Sequence, residues 1–479
     1  MICYLIGRIL LVEAGLMLLP LGVALIYGES TVPFLAAMAG LVATGAVLSR
    51  RKPQQSTLYA RDGFAVVALV WLLMSAFGAI PFVLSGDIPF FVDAFFETVS
   101  GFTTTGASIL TAVEPLSRSC LFWRSFTHWV GGMGVLVFVL IVLPMTGGSA
   151  MHLLRAEAPG PSVGKLVSRM KDTSRILYSI YLVMTLVLIV LLLLGGMPLF
   201  DACVHAFGTA GTGGFSSRNI SIGAYNSVYF DVVIGVFMLL FGVNFNLYYF
   251  LLLRKVKDVL RSEELRAYLV IVTAAVVLIA ANIVQMYGSV WTSLRHAFFQ
   301  VASITTTTGY ATVDFNTWPT FSKMILLLLM FIGGCAGSTA GGIKVSRAVI
   351  LGKASYADMK KMLHPNAVST VRVEGKPLPE NQLRGVYVYM SVYLILLAIS
   401  LLLLSLEGFD LTTTITSVIT CLNNVGPGLE VVGPMGNFSG YSAWAKLLLS
   451  FDMLVGRLEI FPMLLLFAPS IWKGRKQSR

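Results

Sequence analysis

DAFFETVSGFTTTGAS, at residues 93–108, is a short apolar run that ends in threonines and a glycine. Its part from Ala94 to Thr104 would form a helix of roughly 16 Å, about half the hydrocarbon thickness of a bilayer. Apolar stretches long enough to cross a membrane lie on both sides of it. Backbone that lacks helical hydrogen bonds survives at membrane depth only where protein or a watery cavity surrounds it. The stretch therefore predicts a re-entrant pore helix followed by a non-helical filter segment.

The same pattern returns three more times along the chain. Residues 201–216 read DACVHAFGTAGTGGFS, residues 296–311 read HAFFQVASITTTTGYA, and residues 413–428 read TTITSVITCLNNVGPG. The glycines at positions 106, 214, 309 and 426 align, and they recur at intervals of roughly 100 residues. Self-similarity at such a period indicates an architecture built from repeated units. We therefore expect four copies of one membrane unit.

The composition is that of a polytopic membrane protein. Of the 479 residues, 56% are hydrophobic and only 12% are charged, which excludes a soluble globular domain. The formal net charge of +11 does not indicate nucleic-acid binding, because the basic residues cluster in short loops as they do on the cytoplasmic side of membrane proteins. The five cysteines have no metal or redox spacing, and we expect no cofactor in the chain.

The distribution of charge predicts the topology. Basic clusters such as the one from Arg254 to Arg266 mark alternate connections and the tail from Lys473 to Arg479, whereas the connections around the pore segments are acidic. Each unit should therefore begin and end on the cytoplasmic side, and its re-entrant segment should enter the membrane from the outside. Both termini should be cytoplasmic. Spanning helices are expected over about residues 7–27, 32–48, 64–84, 122–145, 176–194, 229–253, 268–286, 321–351, 386–404 and 444–468.

These observations predict an all-α polytopic membrane protein. Four pseudo-symmetric helix–pore-loop–helix repeats would surround one central pore, after an N-terminal two-helix hairpin. The expected boundaries are the hairpin at 1–60, pore repeat 1 at 61–150, a linker and pore repeat 2 at 151–260, pore repeat 3 with an intramembrane gating loop at 261–352, and a cytoplasmic linker, pore repeat 4 and basic tail at 353–479.

The filter prediction follows from what a dehydrated cation needs. A ring of backbone carbonyl oxygens replaces the water of a monovalent cation without adding fixed charge. Glycine accepts the backbone conformations that aim successive carbonyls one way, and threonine adds hydroxyl oxygens on a stiff stem. The alternative, ordinary Gly/Thr turns that cap short helices, is disfavoured by four copies in register. The predicted filter residues are Thr104, Thr105, Gly106, Thr212, Gly213, Gly214, Thr307, Thr308, Gly309, Asn424, Val425 and Gly426.

The four repeats and the extra N-terminal hairpin resemble the TrkH/TrkG family of potassium uptake subunits, whose superfamily includes KtrB and the plant HKT transporters. The resemblance implies one glycine from each repeat in the filter and potassium bound through filter backbone carbonyls. In the HKT branch, serine at the first filter position goes with sodium permeation, so Gly106 favours potassium. Repeat four departs from the pattern, because Asn423, Asn424 and Val425 replace the threonine-rich form. The symmetry is therefore expected to be approximate, and the selectivity looser than in a tetrameric channel.

A second motif, GGCAGSTAGGIK at residues 333–344, interrupts the predicted span 321–351. Each glycine costs a helix about 1 kcal/mol relative to alanine, so a continuous helix is not expected here. Close helix packing through small residues is one explanation. A nucleotide-binding loop is excluded, because Ile343 stands where that motif needs lysine. The resemblance implies the other explanation, an intramembrane gate below the filter that comprises Gly334, Gly337, Ser338, Thr339, Gly341, Gly342 and Lys344.

Arg457 is assigned to the same gate. An arginine inside a spanning helix is costly and normally faces a partner or a cavity. A pair with Glu459 or Asp452 is the structural alternative, although residues two apart do not share a helical face. We favour a contact between Arg457 and the glycine-rich loop, or a position at the inner pore. Lys344 either repels cations at the inner mouth or is an exposed linker residue.

The leading functional hypothesis is potassium uptake across the bacterial inner membrane through a channel-like filter. The alternative is a symporter coupled to protons or sodium, or a less selective potassium and sodium transporter. A membrane enzyme is disfavoured, because no catalytic constellation recurs at a common depth. The resemblance implies a homodimer in membrane lipid and a peripheral TrkA-type subunit that binds nucleotide and controls the gate. The sequence leaves open the coupling, the strictness of selectivity, the activating nucleotide, the oligomeric state and the transport rate.

Overall fold

The computed structural model describes residues 1–51, 60–134, 170–364 and 370–469. The described part is built from helices and one short hairpin of two strands, β1 (Arg372–Val373) and β2 (Lys376–Pro377). In chain order the α-helices are α1 (Ile2–Leu16), α2 (Leu18–Tyr27), α3 (Val32–Ser49), α4 (Ala60–Ser85), α5 (Phe91–Phe102), α6 (Arg118–Gly132), α7 (Met170–Leu194), α8 (Leu199–Gly211), α9 (Val228–Phe241), α10 (Phe245–Leu252), α11 (Val256–Arg261), α12 (Glu263–Tyr287), α13 (Val290–Thr305), α14 (Thr320–Ile332), α15 (Val345–Leu363), α16 (Glu380–Leu404), α17 (Leu411–Leu422), α18 (Ala443–Arg457) and α19 (Phe461–Leu466).

Several helices are long and apolar enough to cross a bilayer. Within the described ranges there are six such spans, or seven if the bent pair α9–α10 counts as one. The exposed side chains of these helices are largely apolar, as expected for surfaces that face lipid. The six spans are Ile2–Tyr27, Val32–Ser49, Asp62–Ser85, Ser174–Leu194, Glu263–Tyr287 and Glu380–Glu407.

The N-terminal hairpin is held by close contact between two backbones. A methyl group added to Gly7 of α1 would lie 2.7 Å from the carbonyl oxygen of Gly45 in α3, and one added to Gly45 would lie 2.8 Å from that of Gly7. Glycine at both positions therefore permits the approach, as small residues do between membrane helices. Glu13 of α1 is fully buried here, and its carboxyl oxygens have no hydrogen-bond partner in the described part of the chain.

Four short helices follow the long ones, where the pore helices are predicted. Helices α5, α8, α13 and α17 have 12, 13, 16 and 12 residues, too few to cross a bilayer. Each packs between a long helix before it and another helix after it, as α5 does between α4 and α6. The first of them, Phe91–Phe102, begins three residues earlier than the predicted helical stretch and ends two residues earlier.

The predicted span over residues 229–253 is wrong as a continuous helix. Helices α9 and α10 meet at a bend of 91° around residues 242–244. The glycine-rich loop takes over hydrogen bonds there, because Cys335 N–H donates to Gly242 O (2.9 Å) and Phe245 N–H donates to Gly337 O (3.0 Å). The Asn244 side chain accepts a hydrogen bond from Asn246 N–H and caps α10.

The predicted span over residues 444–468 is also broken. Helix α18 ends at Arg457 and α19 begins at Phe461, with Glu459 and Ile460 at positive φ (54° and 72°). Pro462 gives a physical reason for the break. In a continuous helix its ring would clash with the carbonyl four residues earlier, and it has no N–H to donate.

The other predicted spans differ mainly at their ends. The interruption predicted within 321–351 is present, since α14 ends at Ile332 and α15 begins at Val345. Helix α6 begins at Arg118. The part of its predicted span from residue 135 onward lies outside the described residues. Much of the basic linker that follows and the tail from residue 470 also lie outside them. The predicted linker after residue 353 is largely helical through Leu363.

Candidate functional site

The four predicted filter segments share one backbone conformation. In each, the residue two positions before the filter glycine is left-handed, with φ of 55° at Thr104, 56° at Thr212, 55° at Thr307 and 55° at Asn424. The next N–H donates to a carbonyl five residues back, closing the helix in the manner of a Schellman motif. These bonds are Thr105 N to Ser100 O (2.9 Å), Gly213 N to Gly208 O (2.8 Å), Thr308 N to Ser303 O (2.8 Å) and Val425 N to Thr420 O (2.9 Å).

The filter glycines themselves also have positive φ. The values are 81° at Gly106, 79° at Gly214, 81° at Gly309 and 99° at Gly426. Two left-handed residues separated by one position turn the chain in the same way in every copy. Glycine accepts this conformation without strain. The threonines at the earlier position are strained in it, so contacts with their surroundings must hold them there.

The four segments also touch one another in a closed order. A methyl group on Gly106 would lie 2.1 Å from Gly213 O, one on Gly214 1.9 Å from Thr308 O, one on Gly309 2.4 Å from Val425 O, and one on Gly426 2.6 Å from Thr105 O. Segment one thus meets two, two meets three, three meets four, and four meets one. Any side chain at these glycines would collide with the backbone of the neighbouring segment.

Asn424, part of the departure in the fourth segment, links that segment to two other parts of the chain. Its side-chain amide donates to Thr105 Oγ1 (2.9 Å) in the first segment and to Met453 O (2.9 Å) in α18. In segments one and three, paired threonine hydroxyls hold the turn instead, through Thr103 with Thr105 (2.8 Å) and Thr306 with Thr308 (2.7 Å). In the fourth segment Asn423 and Val425 stand at the positions of the paired threonines, so the hydroxyl pair is missing there, while Asn424 bonds to the first segment.

The glycine-rich loop, residues 333–344, lies directly against the filter segments. Gly341 N–H donates to the hydroxyl of the predicted filter residue Thr307 (2.6 Å). A methyl group on Gly341 would lie 2.5 Å from Asn423 O and 3.0 Å from Asn424 Cβ. The loop and the third and fourth filter segments are therefore in van der Waals contact, and Gly341 is needed for the approach.

Arg457 contacts the loop, as the sequence favoured. Its guanidinium donates to Thr339 O of the loop (2.8 Å) and to Gly131 O (2.6 Å) and Gly132 O (2.9 Å) at the end of α6. Of the two acids considered as partners, Glu459 pairs with Arg347, and Asp452 accepts a hydrogen bond from Ser400 (2.8 Å). Arg457 thus bridges the loop to α6.

Lys344 is not an exposed linker residue. It is half-buried at the end of the loop, has a φ of 77°, and its ammonium group donates back to Ala340 O. The positive charge therefore lies within the loop itself, beside the start of α15. The part of the prediction that makes Lys344 a component of the loop agrees with this position, while its effect on cations stays a prediction.

Sequence reasoning missed Glu264, which anchors both ends of the loop. Its Oε1 accepts Ala336 N–H (2.7 Å) near the beginning of the loop and Ser346 N–H (3.1 Å) just after its end. Glu264 lies in the first turn of α12, where an acidic residue is ordinary because of the helix dipole. Nothing in that local pattern indicates a partner more than seventy residues away.

Short helices between spans, four glycine turns in a closed order and a loop packed against them define a class of membrane protein that transports cations. A family model agrees with this class: it is described as "TrkH: Cation transport protein" and matches residues 30–474. The chain belongs to the TrkH family, and the family prediction is confirmed.

Curated relatives and a solved structure extend over nearly the whole chain. "Trk system potassium uptake protein TrkH" of Salmonella typhimurium is 38% identical over 98% of both chains. "Trk system potassium uptake protein TrkG" of Escherichia coli is 37% identical over 96% of this chain and 95% of its own. The crystal structure of the potassium transporter TrkH from Vibrio parahaemolyticus has a TM-score of 0.88 and 33% identity, covering 98% of this chain and 99% of that one. The prediction of an all-α polytopic membrane protein is thereby confirmed.

Proposed function

We propose that this chain takes up potassium ions across the membrane as the translocating subunit of a Trk system. The proposal is supported by relatives named as potassium uptake proteins at 38% identity over nearly full length. One structural observation carries it: the four glycine turns have one backbone conformation and contact one another in a closed order. Such an arrangement can present equivalent backbone oxygens to one dehydrated cation, which a single turn cannot do.

In this proposal the four pore repeats surround one conduction path, and the filter residues named above bind potassium through backbone carbonyls. The repeats divide the chain as the sequence predicts, from 61–150 for the first to 353–479 for the fourth with its linker and tail. Potassium is the transported ion, and the chain itself needs no cofactor. Cytoplasmic termini, an inner-membrane location and a homodimer belong to the same proposal.

The loop of residues 333–344 is proposed as the gate. Its position is suited to this role, because Gly341 contacts Thr307 of the filter and Arg457 holds Thr339. A loop without regular helical hydrogen bonds can move at lower cost than a spanning helix. A cytoplasmic TrkA-type subunit that binds nucleotide would change flux by pulling on α15, which begins directly after the loop.

One observation favours the alternative, a potassium symporter coupled to protons. Glu13 is a fully buried acid whose carboxyl oxygens have no hydrogen-bond partner in the described part of the chain. An intramembrane carboxyl of this kind can bind and release a proton during transport. It lies in the N-terminal hairpin and not at the filter, so the channel-like proposal is preferred.

The first experiment tests the filter. Purified protein in proteoliposomes, with the regulatory subunit added, is compared for potassium, rubidium, sodium and lithium flux, as wild type and as Gly106→Ser and Gly309→Ser. We expect wild type to prefer potassium and rubidium. Each substitution should lower the potassium-to-sodium ratio by about tenfold or more, because the new side chain displaces a neighbouring carbonyl that binds the ion.

Gly408→Ser is the matched control. Gly408 also has a positive φ (79°), but a methyl group there would meet nothing within 4 Å, and it lies outside the filter. The ratio should stay unchanged in this variant. Equal sodium and potassium flux in wild type would refute potassium selectivity, and absence of flux driven by a potassium gradient alone would favour the coupled symporter.

A further inference from the structure

A buried ion pair lies behind the first two filter segments. Arg124 Nε of α6 and Glu97 Oε1 of α5 are 2.6 Å apart, with side-chain exposures of 4% and 0%. Removing two charges from water is costly, and such a pair persists only when its geometry is good and its remaining hydrogen-bonding groups are satisfied. Glu97 and Arg124 belong neither to the filter turns nor to the glycine-rich loop, so the roles proposed for those segments do not account for this charged pair.

Glu97 holds the chain that leaves the first filter segment. Its Oε1 accepts the hydroxyl of Ser108 (2.9 Å), and its Oε2 accepts Ile109 N–H (3.0 Å). Ser108 and Ile109 follow Gly106 by two and three residues. The carboxylate thus accepts hydrogen bonds from three donors, two of which belong to the chain that leaves the filter segment.

Arg124 holds the chain that leaves the second filter segment. One terminal nitrogen donates to Ser216 O (3.2 Å), two residues after Gly214. The guanidinium also lies over the ring of Phe215, 3.5 Å from its centroid. Because Glu97 and Arg124 are bonded to each other, the exits of segments one and two are fixed relative to each other.

In the other repeats, the position equivalent to Glu97 has no carboxylate. Nine residues before each filter glycine stand Glu97, His205, Gln300 and Ser417. His205 Nε2 is 2.9 Å from Ser216 Oγ, and Gln300 Nε2 is 3.5 Å from Thr312 Oγ1, so both also reach the exits of their own segments. Ser417 instead contacts Tyr441 of the following connection (2.8 Å). A charge occupies this position only in the first repeat.

We propose that Glu97 and Arg124 are positioning residues for selectivity, which hold the exits of the first two filter segments at the separation that favours potassium over sodium. The inference rests on the proposed filter. Discrimination between ions of one charge depends on where the coordinating oxygens are held, so loosening their support admits the smaller ion. Neither residue touches the ion in this account.

The test is the variant Glu97→Gln, measured for potassium and sodium flux in proteoliposomes with the regulatory subunit present. Glutamine keeps the size of the side chain but turns one acceptor oxygen into a donor, so either Ile109 N–H or Arg124 loses its partner. We expect the potassium-to-sodium flux ratio to fall by about three- to tenfold. Potassium flux itself should remain within about threefold of wild type.

Glu29→Gln is the matched control. Glu29 accepts Ser119 Oγ (2.6 Å) and the backbone amides of Arg118 and Ser119, so it also joins a carboxylate to a serine and to backbone amides. Glu29 lies between α2 and α3 and bonds to the start of α6, and none of its partners belongs to a filter segment. Its variant should keep the wild-type flux ratio.

Two variants that remove a single hydrogen bond each are measured in case Glu97→Gln does not fold. Ser108→Ala removes one donor to Glu97, and Ser119→Ala removes the equivalent donor to Glu29. We expect a smaller fall in the ratio, about twofold, for Ser108→Ala alone.

The outcomes separate this inference from the filter proposal. If Gly106→Ser lowers the flux ratio while folded Glu97→Gln and Ser108→Ala keep it, the positioning role is overturned and the filter stands. If Gly106→Ser keeps the ratio, the filter proposal falls and the inference falls with it. A fall in Glu29→Gln equal to that in Glu97→Gln would also overturn the inference, because the effect would then not be specific to the filter exits.

Discussion

Arg457 is the residue at which several distant segments are joined. Its guanidinium satisfies three carbonyl oxygens, one in the glycine-rich loop and two at the end of α6. Two of these carbonyls lie at the end of α6 and one lies in the loop, and the partial negative charge at a helix C-terminus stabilises a cation there. The cost of an arginine inside a membrane protein is offset in this way.

At the residue scale, we expect Arg457→Gln to raise potassium flux in the absence of the regulatory subunit by about three- to tenfold. Glutamine cannot reach all three carbonyls, so the loop loses its link to α6 and spends more time away from the filter. The measurement is basal flux in proteoliposomes.

Arg295→Gln serves as the control for Arg457. Arg295 is another partly buried arginine and pairs with Asp231 (3.3 Å), away from the loop. Its substitution should leave basal flux unchanged. Basal flux in Arg457→Gln that equals wild type, in protein that still elutes as a folded species, would contradict a role in gating.

At the scale of elements, the glycine-rich loop is held at both ends by one carboxylate. Glu264 binds Ala336 N–H and Ser346 N–H, so the beginning of α15 and the beginning of the loop are fixed to the start of α12. The neighbouring Glu263 instead binds Lys353 (2.6 Å) and Glu374 N–H (3.1 Å), which anchors α15 and the β1–β2 hairpin. Two adjacent acids therefore hold two different segments.

We expect Glu264→Ala to raise basal flux by about three- to tenfold, because both ends of the loop lose a hydrogen-bond acceptor. Glu263→Ala is the matched variant, one residue away in the same helical turn. It should leave basal flux near the wild-type level and reduce only the response to the regulatory subunit. Equal basal flux in the two variants would show that Glu264 has no specific effect on the loop.

At the scale of the whole molecule, the connections group on two faces. On one face, Ser262 before α12 donates to Glu374 of the β1–β2 hairpin (3.1 Å). On the other, the segments after the pore helices are bonded together, as Val113 N–H to Asn219 (2.7 Å), Phe438 N–H to Ser108 O (2.8 Å) and Glu430 N–H to Asn316 (3.0 Å). The basic connection between α10 and α12 belongs to the first face, which is the proposed cytoplasmic side.

This topology is testable with single cysteines on a Cys3→Ser background, which removes an exposed native thiol. In intact cells, a membrane-impermeant maleimide should label Ser439→Cys on the outer face. Lys255→Cys should be labelled only after the cells are permeabilised. The opposite pattern would reverse the proposed orientation, and labelling of both in intact cells would contradict the grouping of connections on two faces.

The sequence by itself determined the membrane class, the four short pore helices, their glycine turns and the interruption at residues 333–344. These features depend on local properties: apolar length, the conformations that glycine accepts, and the low helix propensity of a glycine-rich run. The positive φ of Gly106, Gly214, Gly309 and Gly426 follows this local rule, so the alignment of the glycines predicted it. The left-handed conformation of Thr104, Thr212 and Thr307 does not follow it and depends on the contacts around them.

Only the tertiary structure decided the contacts between segments far apart in the chain. The break between α9 and α10, the bonds from Glu264 to the loop and the pair of Glu97 with Arg124 all depend on partners that no local pattern indicates. A buried polar group requires a partner, but the partner is selected by how helices pack. For this reason a contact of Arg457 with the glycine-rich loop could be favoured from the sequence, whereas the carbonyls that it binds could not be named.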